Sequence, residues 1–341
     1  MSCWLSISGI DDMAAVILEN DHLRIGILPG RGSDIYEFFY KPLKQDYLLR
    51  LSKGIRNPNR HFSQIRDTGS QFEDYYYGGW QVCLPNSQPF IYRGAALGQH
   101  GEVSLIPWQY RIEEEGPETV AVTCTAEVLR LPLKIHRRFA LHRGEAALHL
   151  SESVTNTGRS TLDIMWGQHI AFGAPFIEQG IQLHTNAKTL EAEQVMPALR
   201  WLKPGQKYNW PRASGTEGQP LDASRIPARG EGEYSELAYL EGYPQEAYYE
   251  LRSAMAGFRL HWDGSLFQSL WMWQERNAVQ DFPWWGDCYT LALEPWTARW
   301  TNQPEAAIRD GKWLRIEGGQ AIQTKLTAEA FKVETTEAYD G

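Results

Sequence analysis

Three short segments place proton-carrying side chains where the surrounding pattern would bury apolar ones. Gly98-Gln99-His100-Gly101-Glu102 follows a run punctuated by glycine and proline, Gly78 to Asn86. Trp166 to Gly173 carries His169 inside an apolar stretch at the end of an expected strand. Leu291 to Thr297 carries Glu294 after a buried-looking strand and directly before Pro295. A carboxylate with an ordinary pKa of about 4.3 is ionised at pH 7, and an imidazole near 6.5 is poised to give or take a proton, so together they suit general acid–base chemistry. The glycines around His100 leave it uncrowded and would let the backbone approach a ligand. Each segment alone has a plainer reading. A lone histidine in an apolar run is more often a hydrogen-bonded core residue, a glutamate before proline a surface strand end, and a His-Gly pair a turn. His22, His61, His136, His142, His149, His184 and His261 lack such context and read as surface or solvated strand positions.

The elements that must position these segments read as strands. Val120 to Glu127, His136 to Leu141 and Ala147 to Val154 alternate apolar and polar residues, and His142-Arg143-Gly144-Glu145 between the last two is a hairpin turn. Leu162 to Trp166, Ala238 to Leu240, Ala247 to Leu251, Gly257 to Trp262, Ser269 to Trp273 and Tyr289 to Leu293 continue the pattern, bounded by Gly, Pro or Asp. Asp263-Gly264 reads as a hairpin turn. Only Asp74 to Val82 and Lys188 to Leu202 could hold short helices. Many short strands with turns roughly every 8–12 residues predict an all-β fold, either a sandwich or a barrel. The whole chain, 1–341, reads as one domain, with a long surface loop at about 203–233 that is poor in apolar residues.

Composition narrows the partners. The 341 residues carry 33 Lys plus Arg against 42 Asp plus Glu, a net charge of −9, which argues against nucleic acid, whose binding rests on clustered cations. No apolar run approaches the roughly 20 residues of a membrane span, and the N-terminus lacks the pattern of a signal peptide. Cys3, Cys83, Cys124 and Cys288 lie far apart without zinc-ligand or disulfide-framework spacing and read as reduced thiols. A cytoplasmic monomer or homodimer acting on a small molecule is the expectation, with no metal and no organic cofactor. The 14 Trp stand out as either a large aromatic core or a stacking surface for flat ligands.

Taken together, the order and spacing of His100-Gly101, His169 with Phe172-Gly173, and Glu294-Pro295 resemble the aldose 1-epimerase (galactose mutarotase) superfamily. The run GGWQVCLPN…GQHGEV (Gly78 to Val103), followed by Trp108, is similar to the hexose-phosphate-mutarotase branch, and Arg137 to Gly158 resembles the strand pair before the second histidine. The resemblance spans roughly Leu23 to Leu326. Glu102 and the Gln168-His169-Ile170 neighbourhood depart from the family pattern. Its Asn-Arg pair maps either to Asn59-Arg60 or to Asn86 with Arg93.

The resemblance implies a large antiparallel β-sandwich that interconverts α and β anomers of an aldose or sugar derivative by acid–base ring opening. Glu294 would be the base at the anomeric hydroxyl, His169 the acid at the ring oxygen, and His100 a hydrogen bond to that oxygen or a neighbouring hydroxyl. Asn86, Arg93, Trp166, Gln274 and Trp296 are the candidate substrate contacts, with Glu275 beside Gln274 as a further candidate hydroxyl ligand, and Trp80, Trp271, Trp273, Trp284 and Trp285 lie near the same segments. No arginine cluster marks a phosphate pocket, although Arg31, Arg66 and Arg93 could contribute. Alternatives from other classes are a non-catalytic carbohydrate-binding protein on the same scaffold, a glycoside hydrolase or lyase, and a metal isomerase using His100, Glu102 and His169.

Overall fold

Alternation becomes layers. In the computed structural model, which describes residues 2–61, 71–196 and 199–334, the strand Leu133–His142 buries every other side chain and pairs with Ala147–Asn156 across the expected turn. Among the described residues the strands form two large antiparallel sheets, of twelve and nine strands. Their facing sides share one apolar core, with Ile25, Ile170 and Leu291 from the larger sheet and Val122, Phe139 and Leu150 from the smaller. Phe172 meets Phe258 edge-on across the layers at 4.9 Å, the arrangement aromatic quadrupoles favour.

A polar network is set into that core. The Arg137 guanidinium pairs with Glu152 at 2.6 Å and donates to the Ser33 carbonyl at 2.8 Å. Gln168 donates to Glu152 at 2.7 Å and accepts from the Trp80 indole at 2.8 Å. Gln168 therefore belongs to the space between the sheets, where its amide bridges the two layers.

The centre of the larger sheet carries the His169 and Glu294 segments. Trp80–Cys83, Gly167–Phe172, Tyr289–Trp296, Ser269–Arg276 and Ser235–Glu241 are successive neighbours there. Gly167–Phe172 and Tyr289–Trp296 are buried at every position, so their outer face is covered as well as their inner one.

Three expectations change. The helix near Asp74 is shorter and earlier, Gln71–Tyr75, and Trp80–Cys83 is a strand because it pairs with Gly167–Phe172. Lys188 to Leu202 holds no helix among its described residues; Thr189–Ala192 is instead a strand beside Ser235–Glu241. The 203–233 excursion is not a plain loop. It contains Lys207–Asn209, Arg212–Ser214, Pro220–Asp222 and Arg225–Ile226. The first lengthens the larger sheet and the last lengthens the smaller. Strands of two or three residues have too little sequence for a period to show. An unexpected helix, Pro304–Arg309, starts with proline at its first turn, where the missing N–H costs nothing.

Candidate active site

Period-2 geometry sorts the His169 strand into two faces. Gln168 and Ile170 point into the core, while Gly167, His169 and Ala171 take the outer face. The antiparallel register pairs Gly167 with Trp296 and Ala171 with Ala292, which sets His169 opposite Glu294. Their polar ends approach to 3.6 Å, His169 Nε2 to Glu294 Oε1. That is too long for a direct hydrogen bond and leaves room for a bridging hydroxyl. The other carboxylate oxygen, Oε2, accepts from the Trp296 indole N–H at 3.0 Å. Gly167 is required beneath that indole, because a Cβ there would lie 2.2 Å from the ring.

His100 arrives from a loop. It holds a left-handed backbone (φ 57°), and Gly101 after it (φ 71°) bridges Leu84 so closely that a Cβ would fall 1.9 Å from the Leu84 carbonyl. This glycine serves backbone docking, not ligand approach. The Ser87 carbonyl accepts the His100 N–H at 2.8 Å, bringing the imidazole to 5.4 Å from that of His169, centroid to centroid.

The three groups open on one cavity of about 230 Å³. Its walls are mostly aromatic: Phe72, Tyr76, Trp271, Trp273, Trp284 and Trp300. Tyr76 meets His169 at 5.1 Å and Trp284 at 5.7 Å, both edge-on. Glu73, Gln99 and Ser235 supply further polar groups, and no lysine or arginine among the described residues lines the cavity.

Burial sets the protonation of the pair. Glu294 is 2% exposed, and loss of solvent pushes its carboxyl up to about 8 against the modest opposing effect of the Trp296 hydrogen bond. Burial likewise pulls His169 down to about 3, and it lowers His100 well below the usual histidine range, with the neighbouring His169 adding to the effect. At neutral pH the carboxyl keeps its proton and both imidazoles are neutral, the reverse of the ionised glutamate expected from reference values. Neither His100 Nδ1 nor His169 Nδ1 has a hydrogen-bond partner.

The remaining candidates fall elsewhere. Asn86 is buried away from the cavity lining, donating to the Gln88 and Gly98 carbonyls at 2.7 Å each, so it shapes the loop that carries His100. Arg93 is half exposed and pairs with Asp163 at 3.4 Å. Asn59 and Arg60 are remote as well, with Arg60 paired to Asp11 and Asp12. Trp166 packs on Phe267 in the core, and Gln274 accepts from the Tyr234 hydroxyl at 2.9 Å on the same inward face. Trp296 lies beneath the pocket, stacked on Trp271 at 4.5 Å, and acts through Glu294. Arg31 is buried against Asp34 and donates to the Tyr75 carbonyl, holding the short helix next to Phe72 and Tyr76. Arg66 lies outside the described residues. Glu102 does not line the cavity; its carboxylate accepts from the Leu129 and Arg130 amides, which leaves no ligand trio with His100 and His169. Glu275 is taken up by the Ala278 and Val279 amides.

Phe72, Glu73 and Tyr76 escaped the sequence reading. Their signal was the dense run Phe72-Glu73-Asp74-Tyr75-Tyr76-Tyr77 before the paired glycines, too aromatic for a surface helix.

The fold is galactose mutarotase-like. The chain superposes on a candidate aldose 1-epimerase from Klebsiella pneumoniae with TM-score 0.70 at 14% identity, covering 96% of this chain and 83% of that one. A galactose mutarotase-like protein from Clostridium acetobutylicum gives 0.66 at 14% identity, covering 97% and 99%. A similar protein from Lactobacillus casei gives 0.59 at 16%, covering 93% and 100%. Residues 11–224 match the family described as Domain of unknown function (DUF4432), and the chain belongs to that family. No curated protein matches the sequence.

Proposed function

We propose that this protein interconverts the α and β anomers of an uncharged aldose by acid–base ring opening. The observation that carries the reading is the buried His169–Glu294 pair, 3.6 Å apart at the base of an aromatic pocket. Mutarotation removes the proton from the C1 hydroxyl and delivers one to the ring oxygen. The C1–ring oxygen bond breaks, the aldehyde rotates about C1–C2, and the steps reverse. Glu294 takes the hydroxyl proton, His169 supplies the ring-oxygen proton, and His100 hydrogen-bonds the ring oxygen or a neighbouring hydroxyl.

Both roles require one proton held by the pair. In the empty pocket it rests on Glu294, whose carboxyl titrates at about 8. Its transfer to His169 creates the working carboxylate and imidazolium, which the sugar hydroxyls help to solvate. Aromatic walls suit the apolar faces of a pyranose, and a lining with Glu73 but no described cation favours a ring without phosphate or carboxylate. The reading places the protein in the cytoplasm, where its buried, unpaired cysteines would remain thiols. Among the described residues no helix is long and apolar enough to cross a membrane.

Anomer-exchange NMR tests the proposal on glucose, galactose, their phosphates, uronic acids and sulfosugars. Acceleration of a neutral aldose is expected. Binding of sugars with no acceleration of any aldose would leave a carbohydrate-binding protein in its place.

A further inference from the structure

A second cavity, of about 750 Å³, lies against the same aromatic cluster and shares Trp300 as a wall with the acid–base pocket. The partition between them is built from Trp271, stacked on Trp296 and donating its indole N–H to the Ala298 carbonyl at 3.1 Å. Trp271 faces the smaller space, Ala298 the larger. The smaller cavity falls below the roughly 300–1,000 Å³ usual for ligand sites, whereas the larger falls within that range. One pyranose at the acid–base pair would therefore leave the larger space for whatever the sugar carries.

Its lining has the character of a carbohydrate surface. Trp300 offers a half-buried aromatic side chain, and Thr301 and Gln303 offer polar ends. Two buried groups on the wall, Ser269 Oγ and Trp313 Nε1, have no hydrogen-bond partner, although Ser269 is 2% and Trp313 5% exposed. Unmade bonds of this kind are costly, and they mark a wall whose polar groups the protein does not itself complete. The charges present are already paired: Arg299 with Glu191 and Glu241, Lys312 with Asp310, and Arg315 with Glu317. Those pairings leave little unbalanced charge to attract an anion.

Resting on the mutarotase reading, we infer that the larger cavity is a second sugar subsite, and that the preferred substrate is a neutral reducing disaccharide. Its reducing ring occupies the His169–Glu294 pocket and its second ring passes Trp300 into the larger cavity. Ala306, half-buried on the helix Pro304–Arg309, lines only the larger cavity and allows it to be filled from outside the catalytic pocket.

The test compares glucose with maltose, cellobiose and lactose on wild-type protein and on Ala306→Trp. Binding is read by tryptophan fluorescence, turnover by anomer-exchange NMR, and folding of the variant by circular dichroism and melting temperature. At least one disaccharide should bind about tenfold more tightly than glucose. Ala306→Trp should abolish that advantage and leave glucose binding and exchange unchanged. Gln303→Trp, at an exposed position on the same wall, provides a second blocking variant if Ala306→Trp fails to fold. Tight disaccharide binding with no exchange on any sugar would retain the subsite and overturn the mutarotase reading. Exchange of glucose with no disaccharide advantage, or equal damage to both sugars in the folded variants, would overturn the subsite and retain the enzyme.

Discussion

Gln168 and His169 are adjacent on one strand, both buried, and opposite in character. Gln168 faces the inter-sheet layer, where Arg137, Glu152 and Trp80 form a connected network around it. His169 faces the outer pocket, where it and Glu294 stand 3.6 Å apart and its Nδ1 has no partner. A buried polar group costs free energy unless its bonds are made. Gln168 meets that requirement within the protein, while His169 keeps bonding capacity for a ligand. Burial is common to both residues; what separates them is that the protein completes the bonds of Gln168 and leaves His169 beside Glu294 with capacity to spare.

The largest effect that could break this contrast comes from Glu294→Gln. Steady-state anomer exchange should fall about 10²–10⁴-fold with an unchanged circular dichroism spectrum. An active, folded variant would end the assignment of Glu294. Glu152→Ala on the inner face should do the converse, because it strands the Arg137 guanidinium without its carboxylate. Urea denaturation should show a loss of about 3–5 kcal/mol, with exchange per folded molecule close to wild type. Equal catalytic losses from the two variants would erase the distinction between the faces.

A pH series sharpens the comparison further. The folded-state pKa of Glu294 is raised, so the shared proton is present below it and is lost as pH rises through about 8. Exchange activity should decline over that window. His169 is depressed to about 3, so it introduces no acid limb near pH 6. The same sign applies to stability. The protonated carboxyl favours the folded state below its ordinary range, and that contribution disappears as pH climbs to about 8. Glu294→Gln should therefore raise the melting temperature more at pH 9 than at pH 5. A profile falling below pH 6.5 would instead assign the working proton to an ordinary histidine. The smallest effect belongs to Arg93→Ala, which removes a surface pair with Asp163 and should change stability by less than about 1 kcal/mol and exchange not at all.

Much of this was legible in the residues. Alternation at Val120 to Glu127 and Ala147 to Val154 predicted strands that the structure contains, because a half-buried strand writes its period directly into the chain. His100, His169 and Glu294 stood out because each interrupts a run that packing would otherwise fill with carbon. The helix expected over Lys188 to Leu202 did not form, since Thr189–Ala192 gains a strand partner that no local window reveals. Tryptophans divide in a way that composition could not foresee. Trp80, Trp166 and Trp296 are fully buried, while Trp271, Trp273, Trp284 and Trp300 line the pocket.

Residue type and period were enough to show an all-β chain and to single out His100, His169 and Glu294 as candidates. Only the tertiary structure decided which neighbours serve them. Asn86 became a loop brace, Arg93 a surface pair, Gln274 and Trp166 core residues, and Trp296 a support for the Glu294 carboxylate. Register across separate strands sets these placements, and a shift of one residue would turn every side chain to the other face. Protonation was decided there too: reference values make Glu294 an anion at neutral pH, and the loss of water around it makes it an acid that keeps its proton to about pH 8.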